Sequence, residues 1–261
     1  MKNENIDFYY FSGTGNTFLA ALAAAGVLEA KGFNVRLMRM ETAKAAAVET
    51  GQAIGLAFPV ACLGTYPFVW DFIRALPKAN GTEVFMLATM GGRDGALTGP
   101  MGAQLRAKGY ITVGAAQLVM PTNIFVLLPQ EKAAEMVKKA LAKAAAYGTA
   151  LADGTAVWPK QNLTGKILYN FLYRPSVFTW KIHFLQKLFI HRLTPSACTK
   201  CGLCAKICPV GNISMEGGLP KVGLNCQYCL RCVSFCPTKA LRTVFNYKGQ
   251  TYKAAPLPYR E

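Results

Sequence analysis

Along residues 1–153, short runs that are nearly continuous in apolar residues alternate five times with longer stretches in which apolar residues recur at helical spacing. The short runs, at 6–11, 33–39, 53–58, 84–89 and 110–119, predict strands buried on both faces. The longer stretches predict helices at 17–30, 42–50, 67–76, 96–108 and 130–152. Gly32 and Gly109 stand where a left-handed residue closes a helix. Strands and helices in strict alternation imply an α/β domain whose parallel sheet is covered on both sides. Periodicity alone does not give the strand order.

After residue 153 the pattern changes. Residues 154–193 are rich in aromatic and basic side chains, including Tyr169, Phe171, Tyr173, Arg174, Phe178, Trp180, Lys181, Phe184, Lys187, Phe189 and Arg192, with Pro175 expected to divide them into two short helices. This reads as a helical connector whose apolar face docks its neighbours together. A peripheral membrane contact through 158–193 is the sharper alternative. No uncharged run of 18 apolar residues exists, so no membrane span is expected. The remaining residues, 194–261, hold eight of the nine cysteines and form a third unit.

The first strand runs into a small polar turn, Ser12-Gly13-Thr14-Gly15-Asn16-Thr17, and then into the first helix. Gly13 and Gly15 allow a backbone to approach a phosphate closely, and Ser12, Thr14 and Thr17 offer hydroxyls. The helix start at Asn16 adds N–H groups and a positive dipole end. No Gly-Lys-Ser/Thr sequence follows, which excludes a nucleoside-triphosphate loop, and no third glycine completes a dinucleotide fingerprint. An ordinary glycine-rich turn remains the bland reading.

The stretch Ser12 to Thr17 matches the [ST]-x-T-G-N-T phosphate loop of flavodoxins, which this part of the chain resembles. The resemblance implies a doubly wound five-stranded sheet in the order 2-1-3-4-5, with FMN at the switch point between the first and third strands. It also implies that Pro59, Val60, Ala61, Cys62 and Gly64 border one side of the flavin ring and Thr89, Met90, Gly91 and Gly92 the other. No aromatic residue stands at Ala61 or Met90, where flavodoxins often stack one on the ring; Tyr66 and Trp70 are nearby and equally suit a core. Cys62 reads as a small apolar filler.

The cysteines fall into two copies of one spacing, Cys198-x2-Cys201-x2-Cys204-x3-Cys208-Pro209 and Cys226-x2-Cys229-x2-Cys232-x3-Cys236-Pro237, offset by 28 residues. Ile213 and Leu241 share an offset after each copy. Zinc, disulfides and plain buried thiols compete as readings, but zinc sites pair knuckles across a longer gap, and the polar start Met1 to Asp7 is no secretory signal. A short loop wraps three thiolates around a cube, so the fourth must come from elsewhere. The segment resembles the bacterial ferredoxins with two [4Fe-4S] clusters, in which the last cysteine of each run crosses over. That resemblance implies one site of Cys198, Cys201, Cys204 and Cys236, and another of Cys226, Cys229, Cys232 and Cys208.

The whole chain therefore resembles an anaerobe family that fuses a flavodoxin-like domain, here 1–153, to a small α+β ferredoxin domain, here 194–261. An intramolecular electron relay between the two clusters and FMN is implied, with no acid/base pair, in the cytoplasm. An FMN-dependent reductase fed by the clusters and a cluster-switched basic scaffold are the alternatives. Residues 1–150 carry 14 bases against 10 acids, whereas 151–261 carry 15 against 3. Such a basic half suits an acidic redox partner; without a recognisable nucleic-acid module, nucleic acid is not expected. The same charge predicts a flavin more easily reduced than in acidic flavodoxins. His183 and His191 read as packing or surface residues rather than ligands.

Overall fold

In a computed structural model, residues 1–61, 63–92, 97–124, 127–160, 163–175, 191–245 and 252–254 are described. Five parallel strands, β1 (Asn5–Tyr10), β2 (Asn34–Arg39), β3 (Ala53–Pro59), β4 (Glu83–Met90) and β5 (Ile111–Val119), form one sheet in the order β2-β1-β3-β4-β5. This is the flavodoxin-like doubly wound order. Helices α1 (Asn16–Ala30), α2 (Pro67–Ala75), α3 (Thr98–Ala107) and α4 (Gln130–Ala152) provide the cover.

The pleat sorts the core into two layers. Ile6, Phe8, Tyr10, Phe85 and Leu87 point to one side, where they meet α1 and α4. Phe11, Leu56, Phe58 and Met86 point to the other, where they meet Val69, Trp70 and Ile73 of α2 and Met101 and Leu105 of α3. Each fully buried side chain of this size contributes about 1.5–3 kcal/mol. Gly55 has a steric reason: a methyl there would stand 2.4 Å from the Phe8 ring and 2.6 Å from that of Phe85, which pack edge to face at 5.0 Å. Alanines along α1 let α4 approach until a methyl at Gly148 would lie 2.7 Å from the Ala24 carbonyl.

The expected helix over 42–50 is not formed; one 3-10 turn, Ala45–Ala47, stands in its place. Alanine favours a helix here, but within this stretch only Val48 is buried in the core, with Ala43 and Ala45 packed partly against it. A helix of about nine residues without a buried stripe is marginal in water. The irregular path also leaves Glu41 facing the C-terminal part of the chain.

Helix α5 (Leu163–Leu168) continues through a π turn, Tyr169–Tyr173, and the chain is still helical at Pro175. Residues 176–190, with Phe178, Trp180, His183 and Phe189, lie outside the described residues, and with them the second short helix expected after Pro175. Tyr173 is buried, accepts a hydrogen bond from Trp70 Nε1 and donates one to the Thr65 carbonyl at 2.8 Å. One face of this connector thus docks on α2, and Trp70 belongs to that packing. Ile167, Phe171 and Leu172 are exposed. Among the described residues no helix is long and apolar enough to cross a membrane.

Beyond the connector, β6 (Arg192–Leu193) pairs with β9 (Leu241–Arg242), and β7 (Ile213–Glu216) pairs with β8 (Leu219–Val222), both antiparallel. Ile213 and Leu241, at matching offsets in the repeat, each begin a strand and share a small core with Val233 and Cys232.

Candidate functional site

The turn 12–17 leaves β1 beside the end of β3, at the point where the strand order reverses. Gly15 adopts φ +106, which lets the chain swing into α1, and its N–H donates to Ser12 Oγ at 3.1 Å. Thr17 Oγ1 and Thr89 Oγ1, 2.7 Å apart, tie the turn to the end of β4. The first-turn amides of α1 have no intrahelical acceptor and suit an anion.

A cavity of about 170 Å³ opens here, lined by Ser12, Gly13, Thr14, Asn16 and Thr17, by Pro59 and Val60, and by Thr89, Met90 and Gly91. Of the residues expected around a flavin, Gly15 supports the turn from behind, Ala61, Gly64 and Gly92 do not line the cavity, and Cys62 lies outside the described residues. Tyr66 and the segment 120–124 after β5 complete the wall. The latter was findable by the same rule that located the other loops, because it too follows a strand's C-terminal end. The volume suits a phosphate and its ribityl chain and falls below the usual few hundred Å³ of a whole-ligand pocket.

The 61–64 loop is a tight turn in which Ala61 and Gly64 exchange two backbone hydrogen bonds of 3.0 Å and Leu63 takes φ +68. A methyl at Gly64 would meet the Tyr173 ring at 2.1 Å, so the connector seals the back of this loop.

The two cysteine runs repeat in backbone as well as in sequence. Left-handed residues occur at Lys200 and Tyr228, at Gly202 and Leu230, and at Gly211 and Lys239, each pair 28 apart. Four of the six are not glycine, so each costs about 1 kcal/mol that the surrounding turn must hold. Such turns aim amide N–H groups inward, toward anionic sulfur. The amide of Asn212 donates to Cys208 Sγ at 3.2 Å and that of Ala240 to Cys236 Sγ at 3.2 Å, again 28 residues apart. Tyr228 N–H donates to Cys226 Sγ at 3.4 Å.

Cys208, Cys226, Cys229 and Cys232 surround one small cavity of about 20 Å³. In the other group Cys201 and Cys236 lie close enough to Cys204 to act on its charge, and Cys198 enters at the end of the turn Pro195–Ala197. Among the described residues no three His, Cys, Asp or Glu side chains close to the spacing of a single-ion site; a four-iron cube spreads its thiolates more widely. Burial pushes the Cys226 thiol up to about 12 and raises Cys229 and Cys232 as well. Burial also acts upward on Cys236, but N–H donors from Leu241 and Ala240 and the Thr238 hydroxyl outweigh it and bring that thiol down. Thiols so buried would ionise only beside a compensating positive charge, which a bound metal would supply. His191 is buried, which lowers it to about 4, and its Nε2 stands 3.6 Å from Cys226 Sγ.

The second run rests directly on the phosphate turn. A methyl at Gly13 would stand 2.4 Å from the Cys229 carbonyl oxygen. Gly13, expected to make room for a phosphate, therefore also makes room for the cysteine loop. Phe68 N–H donates to Gln227 Oε1 at 3.4 Å. Arg231, 2% exposed, donates to the Ser12 carbonyl at 2.9 Å, to Glu41 Oε1 at 2.8 Å and to the Ile207 carbonyl at 3.1 Å, with its guanidinium 4.8 Å from the Phe11 ring centre. Nothing in the spacing pointed to Arg231 or Glu41. From the chain's end, Ala254 N–H donates to the Thr14 carbonyl at 2.8 Å and Tyr252 Oη to Asn16 Oδ1 at 2.9 Å.

Residues 192–214 match the 4Fe-4S binding domain family, which takes in the first cysteine run and stops before the second. No curated protein matches the chain in sequence. Among solved structures it is similar to the two-electron-reduced flavodoxin of Megasphaera elsdenii, at 23% identity over 53% of this chain and 98% of that one, with a TM-score of 0.41. It is similar also to oxidised flavodoxin 2 of Bacillus cereus, at 19% identity over 57% and 98%, with a TM-score of 0.43. The rubredoxin oxygen:oxidoreductase of Desulfovibrio gigas is 15% identical over 56% of this chain, with a TM-score of 0.37, and the match spans 37% of that longer protein. The chain thus carries a segment that matches a 4Fe-4S binding family, joined to a five-stranded parallel sheet in flavodoxin-like order.

Proposed function

We propose that this protein relays electrons within one chain between two [4Fe-4S] clusters and FMN, coupling one-electron carriers to a redox partner. The observation that carries this reading is the contact of the Cys229 loop with the phosphate turn at Gly13. Electron transfer needs neighbouring centres, and this packing would set a cluster beside a flavin. Cys226, Cys229, Cys232 and Cys208 would hold the inner cluster, and Cys198, Cys201, Cys204 and Cys236 the outer. The turn 12–17 would hold the FMN phosphate, with Pro59, Val60, Met90 and Gly91 near the ring. FMN supplies a site able to store one or two electrons, and the clusters supply single-electron steps. Backbone amides aimed at Cys208 and Cys236 would tune the cluster potentials.

Anaerobic purification, iron, sulfide and flavin quantification, and stepwise reduction provide the test. Roughly eight irons and one FMN per chain, filling in sequence, is the expected result. Zinc in place of iron, or iron with no flavin, would defeat it. The partner we propose is an acidic redox protein that meets the outer cysteine run, where Lys200 and Lys206 are exposed on either side of the exposed Cys201 in the chain. Its association rate should fall steeply with added salt; a rate indifferent to salt would remove the electrostatic part of the reading.

A further inference from the structure

We infer that Arg231 is a positioning residue that clamps the second cysteine loop onto the flavin phosphate turn, making the second cluster the one that exchanges electrons with the flavin; this rests on the relay reading above. Arg231 lies between Cys229 and Cys232, so its backbone is part of the loop that would wrap the inner cluster. Its side chain leaves that loop and reaches three partners in different parts of the chain. The Ser12 carbonyl belongs to the phosphate turn, Glu41 to the connection after β2, and the Ile207 carbonyl to the residue before Cys208. Three directed donors from one planar head fix position and angle together, which a lysine could not do.

The pair Arg231–Glu41 is 2% and 7% exposed in its side chains. A buried pair of this kind specifies an arrangement more than it adds stability. The repeat sharpens the point. The position 28 residues earlier is Leu203, so the first loop has no equivalent clamp. Cys201 in that first loop is exposed, whereas Cys229 is buried against Gly13. Two loops of one design are thereby given different places: the second faces the flavin and the first faces outward.

The step assigned to this contact is a single-electron transfer. Across it one electron at a time would pass between a cluster held by Cys226, Cys229, Cys232 and Cys208 and an FMN held by the turn 12–17, the proton that balances the second electron coming from solvent. A low-potential one-electron donor, acting at the first cluster, supplies the electrons.

The test uses the full chain loaded with iron, sulfide and FMN. Arg231→Met keeps length and apolar packing, and Glu41→Gln keeps shape while removing the counter-charge. Leu203→Met is the matched change on the first loop. Arg231→Met is expected to keep its iron and FMN, to slow flavin reduction through the clusters at least tenfold, and to leave direct photochemical reduction of the flavin unchanged. Magnetic coupling between the reduced second cluster and the half-reduced flavin should weaken in parallel. Leu203→Met should change neither. If Arg231→Met fails to load, Glu41→Gln is read by the same two measurements. A wild-type chain that relays normally while the loaded variant matches it in rate and coupling overturns the role of Arg231 alone. A wild-type chain that loads only one kind of cofactor overturns the relay and this inference together.

Discussion

The two cysteine runs share their spacing, their left-handed residues and their N–H donors to sulfur, yet they stand in different surroundings. The first is half-exposed, with Lys200 and Lys206 beside it and Leu203 at its centre. The second is buried against the sheet domain and carries Arg231 at the equivalent position. A local motif can therefore be duplicated while its two copies acquire separate roles, because the neighbours that bury one copy are supplied by a distant part of the chain. In the relay we propose, the outer copy meets partners and the inner copy meets flavin.

The sharpest way to break this comparison is to remove one thiol from each copy. Cys229→Ser should take the chain from roughly eight irons to roughly four and abolish cluster-driven flavin reduction. It should also loosen the 226–236 loop, because the small core around Ile213, Val233 and Leu241 cannot hold itself without metal. Cys201→Ser should lose a similar amount of iron and keep the inner loop docked. Iron analysis with protease digestion distinguishes the two, and equal digestion patterns would contradict the inner and outer assignment.

Next in size are the ion pairs. Glu41→Ala leaves the Arg231 charge buried and should cost about 3–5 kcal/mol in denaturant unfolding. Glu216→Ala breaks the exposed pair with Lys221, 2.9 Å long, near the first run, and should cost no more than about 1 kcal/mol. Similar losses for both would show that burial does not separate the two regions.

Two glycines give a smaller contrast. Gly13→Ala presses a methyl onto the Cys229 carbonyl and should cost about 1–3 kcal/mol, read as a lower melting temperature. Gly92→Ala meets nothing within 4 Å and should stay within about 0.5 kcal/mol of the parent. A neutral Gly13→Ala would mean that the cysteine loop does not press on the phosphate turn.

The smallest effect concerns the repeat itself. Lys239, exposed at φ +54, stands where the first copy has Gly211 at φ +60. Lys239→Gly should stabilise the loop by up to about 1 kcal/mol, and Gly211→Ala should destabilise by about as much. Thermal melts of the iron-loaded protein check both signs.

Much of the α/β domain was legible from the chain alone. Strands near 6–11, 53–58 and 84–89 announced themselves as nearly continuous apolar runs because both faces of a parallel sheet are buried. Gly32 and Gly109 marked helix ends because a left-handed residue closes a helix with little cost when it has no side chain. The stretch 42–50 misled because alanine content measures propensity, whereas a helix this short survives only by burying a stripe.

The cysteine spacing and the turn 12–17 were equally visible, since metal wrapping and phosphate approach depend on residues close together in sequence. Local chemistry of that kind is written in short motifs, and the amino-acid order by itself determined it. The contact between the two motifs was decided only in three dimensions. Arg231, Glu41 and Tyr173 carry no spacing signal, because the partners that place them, Thr65, Ser12 and one another, lie more than a hundred residues away. Whether a glycine such as Gly13 serves a ligand or a neighbouring loop depends on what packs against it, and packing of distant segments belongs to the folded chain as a whole.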